Sequence, residues 1–180
     1  MASRGEDRDR LVIMLSGPSS AGKSSLAKAL QRRLPGPCVL IEADRAFPSV
    51  PTSHPAWTTT GHSHADVVLA FHRSIVAWAE HGFALIVDGS LPYGDHQLRD
   101  ACLRQFDAFD LRLVGVRCSL PELSRREEQR PEDRLIGWAA RQAKDVHDGL
   151  HLAADVDTTD RSPDECAQDV VAQLGFALIP

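Results

Sequence analysis

The sequence predicts a three-layer α/β domain, with a central parallel sheet of about five strands covered by helices on both faces. Three observations carry this. Apolar segments of strand length alternate with segments of helical periodicity, as they do when crossover helices join parallel strands. The first segment, Leu11-Val12-Ile13-Met14-Leu15, is apolar at every position, as a strand buried on both faces requires. Pro and Gly punctuate the alternation.

After the strand at 11–15, residues 17–22 turn the chain. Residues 23–34 then take helical spacing through Leu26, Ala27, Leu30 and Leu34, and Pro35-Gly36-Pro37 end that helix. Residues 38–41 form a second strand, closed by Glu42 and Asp44. Residues 48–62 hold three Pro, one Gly and four Thr, which predicts a loop or broken helix. Helical spacing returns over 65–80, and 83–87 form the third strand, ending on Asp88-Gly89. A helix over 95–106, a fourth strand over 111–116 and a charged helix over 121–128 follow. An Arg-rich stretch then runs to Arg134. A helix over 135–147, a weak fifth strand over 152–156 and a last helix over 163–174 complete the order.

At 180 residues the chain fits one domain, spanning 11–180. Within it, about 44–65 is expected to meet the substrate and about 122–134 to form a lid. Residues 1–10 are charged and lack an apolar run, so they read as a flexible terminus and not as a signal or anchor. The net charge of −5 argues against nucleic acid as the main partner, because a phosphate backbone demands a basic face. The apolar stretches are strand-sized, so no membrane span is expected. Cys38, Cys102, Cys118 and Cys166 are scattered without a CxxC pair. This favours buried thiols in a reducing cytoplasm.

Ligands of such folds gather beyond the carboxyl ends of the strands. Ser16-Gly17, Asp44 and Asp88 stand at those ends, so the chemistry should converge on one crevice. Gly17-Pro18-Ser19-Ser20-Ala21-Gly22-Lys23-Ser24 matches G-x-x-x-x-G-K-[ST], the Walker A loop, at every fixed position, and Ser25 follows it. Its glycines let backbone N–H groups curl around a phosphate, and the following helix adds its positive dipole end. Lys23 would reach the β- and γ-phosphates of ATP, and the Ser24 hydroxyl would ligate Mg²⁺.

Asp88 closes the apolar run Leu85-Ile86-Val87, a Walker B pattern whose carboxylate holds Mg²⁺. The other reading is an Asp opening a turn with Gly89. Asp44 follows the second strand, where a kinase acting on a hydroxyl needs a carboxylate to orient it and accept its proton. The other reading is an N-cap for residues 45–47, with Glu42 as substitute base. Arg125, Arg126, Arg130 and Arg134 stand at or near helical spacing. They could neutralise the transferring phosphoryl group or form i,i+4 ion pairs such as Glu122 with Arg126. His62 and His64 form an H-x-H pair without a spaced third ligand, which favours a loop role over a metal site. The chain contains no Asn, and a guanine-reading N-K-x-D motif is therefore absent.

These features leave a small kinase, and a resemblance narrows it further. Ser19-Ser20-Ala21-Gly22-Lys23-Ser24, Gly115-Val116-Arg117-Cys118 and Asp133-Arg134 resemble stretches of the chloramphenicol phosphotransferase family. So do Ala139-Ala140-Arg141-Gln142-Ala143, Val146-His147-Asp148-Gly149, Asp155-Val156-Asp157-Thr158-Thr159 and Glu165-Cys166-Ala167. The resemblance implies a P-loop nucleotide-kinase-like fold with an Arg-rich lid, ATP with Mg²⁺, and a small hydroxylated acceptor. It implies Asp44 as base, Arg126, Arg130 and Arg134 as lid arginines, and Asp157 with Thr158 beside the adenine.

The departures concern the acceptor. Residues 47–65 share little with the chloramphenicol enzyme, Gly89 stands where that enzyme has a second acidic residue, and Pro131-Glu132 lengthen the lid. The resemblance therefore carries nucleotide chemistry, and leaves open whether the acceptor is an antibiotic or a metabolite. Another small-metabolite kinase, of the shikimate or gluconate kind, and a non-catalytic ATP-binding regulator are the alternatives. The oligomeric state, a homo-oligomer included, is also left open.

Overall fold

The computed structural model describes residues 11–51, 53–54, 57, 59–129 and 136–177. Five strands, β1 (Leu11–Ser16), β2 (Val39–Glu42), β3 (Leu85–Asp88), β4 (Asp110–Arg117) and β5 (Ala154–Asp157), form one sheet in the order β2-β3-β1-β4-β5. Every pairing is parallel. Among the described residues, seven helices connect and cover it: α1 (Lys23–Arg33), α2 (Ala43–Ala46), α3 (His64–Glu80), α4 (His96–Arg104), α5 (Leu120–Glu128), α6 (Trp138–Gln142) and α7 (Pro163–Gln173).

The central strand explains the layering. All six residues of β1 are buried, and successive side chains point to opposite faces of the sheet. Leu11, Ile13 and Leu15 enter a core shared with Leu26 and Leu30 of α1 and Val170 of α7. Val12 and Met14 enter a second core with Phe71 and Ile75 of α3 and with Phe106. Each fully buried aliphatic side chain contributes roughly 1.5–3 kcal/mol, so an unbroken apolar run is what a two-faced strand needs. Helix starts are written into the sequence as well. Ser63 with Asp66 and Ser162 with Glu165 form reciprocal capping boxes at α3 and α7.

The expected order of elements holds, with shifts at the ends and one added short helix, α2, after β2. The helix expected over 135–147 is the largest departure. Leu135 lies outside the described residues, and Gly137 has φ 86°, so α6 starts at Trp138 and stops at Gln142. Beyond it the backbone tightens into i→i+3 turns, with Asp145 N bonding Gln142 O and Asp148 N bonding Asp145 O. Tertiary bonds made by His147 and Asp148, described below, hold this tighter course against helical propensity. All four cysteines are free thiols. No helix among the described residues is long and apolar enough to cross a membrane.

One titratable group lies deep in the second core. His72 on α3 is fully buried and edge-on to the Phe71 and Phe106 rings, and its Nδ1–H donates to Val68 O at 2.8 Å. Burial pushes its pKa below that of an ordinary imidazole, outweighing the hydrogen bond to Val68. The unfolded chain, titrating near about 6.5, therefore binds a proton that the folded chain refuses. Stability should fall as pH drops through that value toward the lower folded one. We expect thermal melts between about pH 7.5 and 5.5 to show this loss in the wild type and a shallower one in His72→Leu. Parallel slopes in the two proteins would exclude His72 as its source.

Candidate active site

The site begins where β1 ends. β1 and β4 run in register, with Ser16 opposite Gly115, so the next residue passes directly over the β4 backbone. A Cβ on Gly17 would lie 2.3 Å from Val116 O, and no side chain fits there. The loop then bends through positive φ at Ser20 (64°) and Gly22 (87°). Such conformations are strained for a residue like Ser20. A bend of this kind shapes a backbone concavity that suits an anion, with Ser19 N and Ala21 N bonded within the protein to Gln142 Oε1 and Pro18 O. α1 starts at once, with no side-chain cap and no acidic residue in its first turn, so its orphan N–H groups and dipole stay available. Lys23 Nζ bridges Gly17 O (2.9 Å) and Pro18 O (2.8 Å), holding the ammonium at the mouth of the loop.

Three distant segments hold the loop in this shape. Gln142 Oε1 accepts from Ser19 N at 2.8 Å, His147 Nε2–H donates to Ser16 O at 2.9 Å, and Thr158 Oγ1 donates to Ala21 O at 2.8 Å. Thr158 is itself gripped by Arg126, whose Nη2 donates to Thr158 O at 2.8 Å while its Nε pairs with Glu122 at 2.7 Å. The same helix, α5, packs Leu123 into the core, and its buried Glu127 accepts from Gly137 N (2.7 Å) and Ala139 N (3.0 Å) at the start of α6.

Acidic groups meet the loop from β2 and β3. Asp88 pairs in register with Leu15, which places its carboxylate beside the start of α1. Burial pushes the Asp88 carboxyl above the usual carboxylate range, against the Ser24 hydrogen bond and the Lys23 charge that favour ionisation. A hydroxyl and a buried carboxylate are the hard oxygen donors Mg²⁺ prefers, and a cation would relieve the cost of ionising Asp88 there. The pair thus fits the metal. Asp44 lies inside α2, whose N-cap is Glu42, so Asp44 is not the cap of that segment. Glu42 is tied to Lys28 and Arg45, both at 3.0 Å. These partners, Lys28 first, hold its pKa below the ordinary value.

A cleft of about 400 Å³ collects Gly17, Ser19, Ser20, Gly22, Lys23 and Ser24 from the loop, with Asp44 and Asp88 facing them. Glu42, the substitute base, does not line it. Pro18 and Ala21 are buried behind the loop, and Ser25 lies outside the cleft. Arg126, Asp157 and Thr158 stand on the β5 side of the loop, with Arg126 Nη1 3.5 Å from the place of a Cβ on Gly22. Arg130 and Arg134 lie outside the described residues. His62 and His64 are exposed. No cluster of three or more His, Cys, Asp or Glu able to hold a metal occurs among the described residues.

Tyr93 and Trp138 stack edge to face at 5.5 Å on the cleft wall, and Arg99 and Gln142, which sequence reasoning did not single out, reach the cleft from α4 and α6. Gln142 and His147 sat in quoted stretches, A-A-R-Q-A and V-H-D-G, without an assigned task. Arg99 carried no motif signal.

A family model described as chloramphenicol phosphotransferase-like protein matches residues 10–175. No curated protein matches the chain in sequence. Among solved structures, the APS kinase of Mycobacterium tuberculosis, solved with AMPPNP and APS, is 20% identical. Its match covers 92% of this chain and 98% of that one, with a TM-score of 0.61. A gluconokinase from Sinorhizobium meliloti is 19% identical over 93% of each chain, with a TM-score of 0.63. The tunicamycin resistance protein of Deinococcus radiodurans is 19% identical over 95% of this chain and 99% of that one, with a TM-score of 0.63. At these identities the likeness is one of fold, the P-loop kinase fold, and it spans nearly the whole chain.

The approach of Gly17 to Val116 yields a direct test. Gly17→Ala must displace backbone, since the obstructing atom is a carbonyl oxygen and not a flexible side-chain end. We expect a stability loss of about 1–3 kcal/mol and at least about a tenfold weaker ATP affinity, equivalent to 1.4 kcal/mol, in calorimetric titration. Wild-type affinity in a folded Gly17→Ala protein would show that this contact does not shape the loop.

Proposed function

The chain belongs to the chloramphenicol phosphotransferase-like family, a family of ATP-dependent small-molecule kinases, and on that premise we propose that it moves the γ-phosphoryl group of ATP to a hydroxyl of a small molecule. The observation that carries this reading is the meeting of Lys23, Ser24, Asp88 and Asp44 in one cleft. A phosphate-binding loop alone serves switches and kinases alike. A carboxylate across the cleft from it is what transfer to an alcohol requires in addition.

In the proposed reaction the loop amides and Lys23 hold the β- and γ-phosphates, fixing the phosphorus for in-line attack. Asp44 accepts the proton of the acceptor hydroxyl as its oxygen bonds the γ-phosphorus. The bond from that phosphorus to the bridging oxygen breaks, and its electron pair leaves on ADP. The proton on Asp44 then passes to solvent. Ser24 and Asp88 would hold Mg²⁺, which when bound supplies positive charge against the phosphate oxygens. Arg126, through Thr158 and Thr159, sets the β5 side of the loop, where Asp157 and Thr158 would border the adenine. Arg130 and Arg134 remain candidates for the arginines that meet the transferring group. The acceptor we envisage is an antibiotic-like or metabolite hydroxyl compound.

Acceptor-dependent ADP release across a panel of hydroxylated compounds, chloramphenicol included, tests the reading. At least one compound should raise ADP production well above ATP hydrolysis alone. If none does, a nucleotide-binding regulator becomes the better account. With a working acceptor, Asp44→Ala should lower kcat by about 10²–10⁴-fold while ATP affinity stays within about twofold of wild type. Undiminished turnover by that variant would remove Asp44 from the reaction.

A further inference from the structure

Arg99 is 94% buried, yet it lines the same cleft as Asp44 and Lys23. Its Nη1 donates to Asp148 O at 2.7 Å. Its Nε is fully buried and makes no hydrogen bond. It is ion-paired at 3.6 Å with the half-exposed Asp100. Nη2 makes no hydrogen bond and is not among the sealed-off atoms. A buried guanidinium normally has its donors filled, because an unfilled one loses hydration without return. Here Nη1 is filled and Nε is sealed beside Asp100, which leaves Nη2 as the donor group that an oxyanion in the cleft could fill.

The surroundings look built for this placement. Gly149, at φ 72°, lets Nη2 come within 3.2 Å of where a Cβ would stand. Asp148 and His147 belong to the same turn, so the turn that anchors Arg99 also bonds Ser16 O at the root of the phosphate loop. Arg99 lies on α4, the crossover from β3 to β4, and Asp44 follows β2, at the far edge of the sheet from β5. The cleft wall nearby carries Leu91, Pro92, Tyr93, Trp138 and Val146, apolar or aromatic throughout.

We propose that Arg99 is an acceptor-binding residue, and that the acceptor carries a carboxylate besides its hydroxyl, on a body flat or apolar enough to lie against Tyr93 and Trp138. This rests on the kinase reading for the hydroxyl and on Arg99 alone for the carboxylate. The hydroxyl would face Asp44 and the carboxylate Arg99, so the two ends fix which hydroxyl reaches the phosphorus.

The test uses the full chain with AMPPNP and three probes of one shape: 4-(hydroxymethyl)benzoate, its neutral amide and benzyl alcohol. Binding is read by ligand-observed NMR titration, independently of turnover. We expect the carboxylate to bind at least about tenfold more tightly than the amide. Arg99→Gln should abolish that preference, Arg99→Lys should keep part of it, and AMPPNP affinity should stay within about twofold of wild type. Equal binding of carboxylate and amide to the wild type overturns the assignment, as does no binding of the carboxylate at millimolar concentrations. A preference that survives in Arg99→Gln also overturns it, and a lowered melting temperature in that case would mark Arg99 as structural. If Arg99→Gln does not fold, the wild-type comparison of carboxylate with amide decides alone. ADP release is measured in parallel. Carboxylate preference without any acceptor turnover would spare Arg99 and count against the kinase reading. Turnover without preference would do the reverse.

Discussion

The passage of Gly17 over the β4 backbone is the contact on which the rest of the site depends. A strand buried on both faces leaves the sheet at its centre, and its last residues must clear the neighbouring strand before the loop can turn. Gly17 permits that clearance because nothing projects toward Val116 O. From there the strained Ser20 and the left-handed Gly22 curl the backbone, and α1 opens directly beneath. A phosphate would meet N–H groups that the fold has oriented already, which spares the ordering cost at the moment of binding.

Strain of this kind persists only where the surroundings over-determine it. The loop is bonded at Ser16, Ser19 and Ala21 by His147, Gln142 and Thr158, all more than a hundred residues away in the chain. This gives a physical reason for the similarity in the C-terminal half. The stretches around Gln142, His147 and Thr158 brace the loop, and Glu127 in turn braces the start of α6. Residues that touch no substrate can thereby set the geometry of those that do.

The fold was largely legible in the sequence because its signals are local: apolar runs, helical spacing, capping boxes and turn residues. The phosphate loop was legible for the same reason, since its eight residues are contiguous. Asp44 and Asp88 could be placed because strand ends are predictable. What stayed hidden was long-range. Nothing near Arg99 in the sequence marks it, and its meaning comes from Asp148 and Gly149, fifty residues on. The helix expected over 135–147 failed for a related reason: bonds from His147 to Ser16 and from Arg99 to Asp148 outweigh local propensity. Arg126 had the spacing both of a lid residue and of an i,i+4 partner for Glu122, and that ion pair forms. The bond from its Nη2 to the Thr158 carbonyl is long-range, and spacing does not reveal it.

The cleft divides chemically along β1. On the β5 side the described polar groups are paired within the protein, with Arg126 bonding Glu122, Thr158 and Thr159. On the β3 side the groups are less completely matched. The carboxyl of Asp88 is held in its less favoured environment, and the buried Arg99, on the helix that follows β3, keeps donors without hydrogen bonds. A nucleotide is the same for every member of a kinase family, so the half proposed to take it can be built with its polar groups already paired. An acceptor supplies the missing partners itself, and a half left unfinished selects the molecule that completes it, because any other leaves buried polar groups unpaired. The incompleteness around Arg99 is therefore the part of the fold where acceptor identity is written.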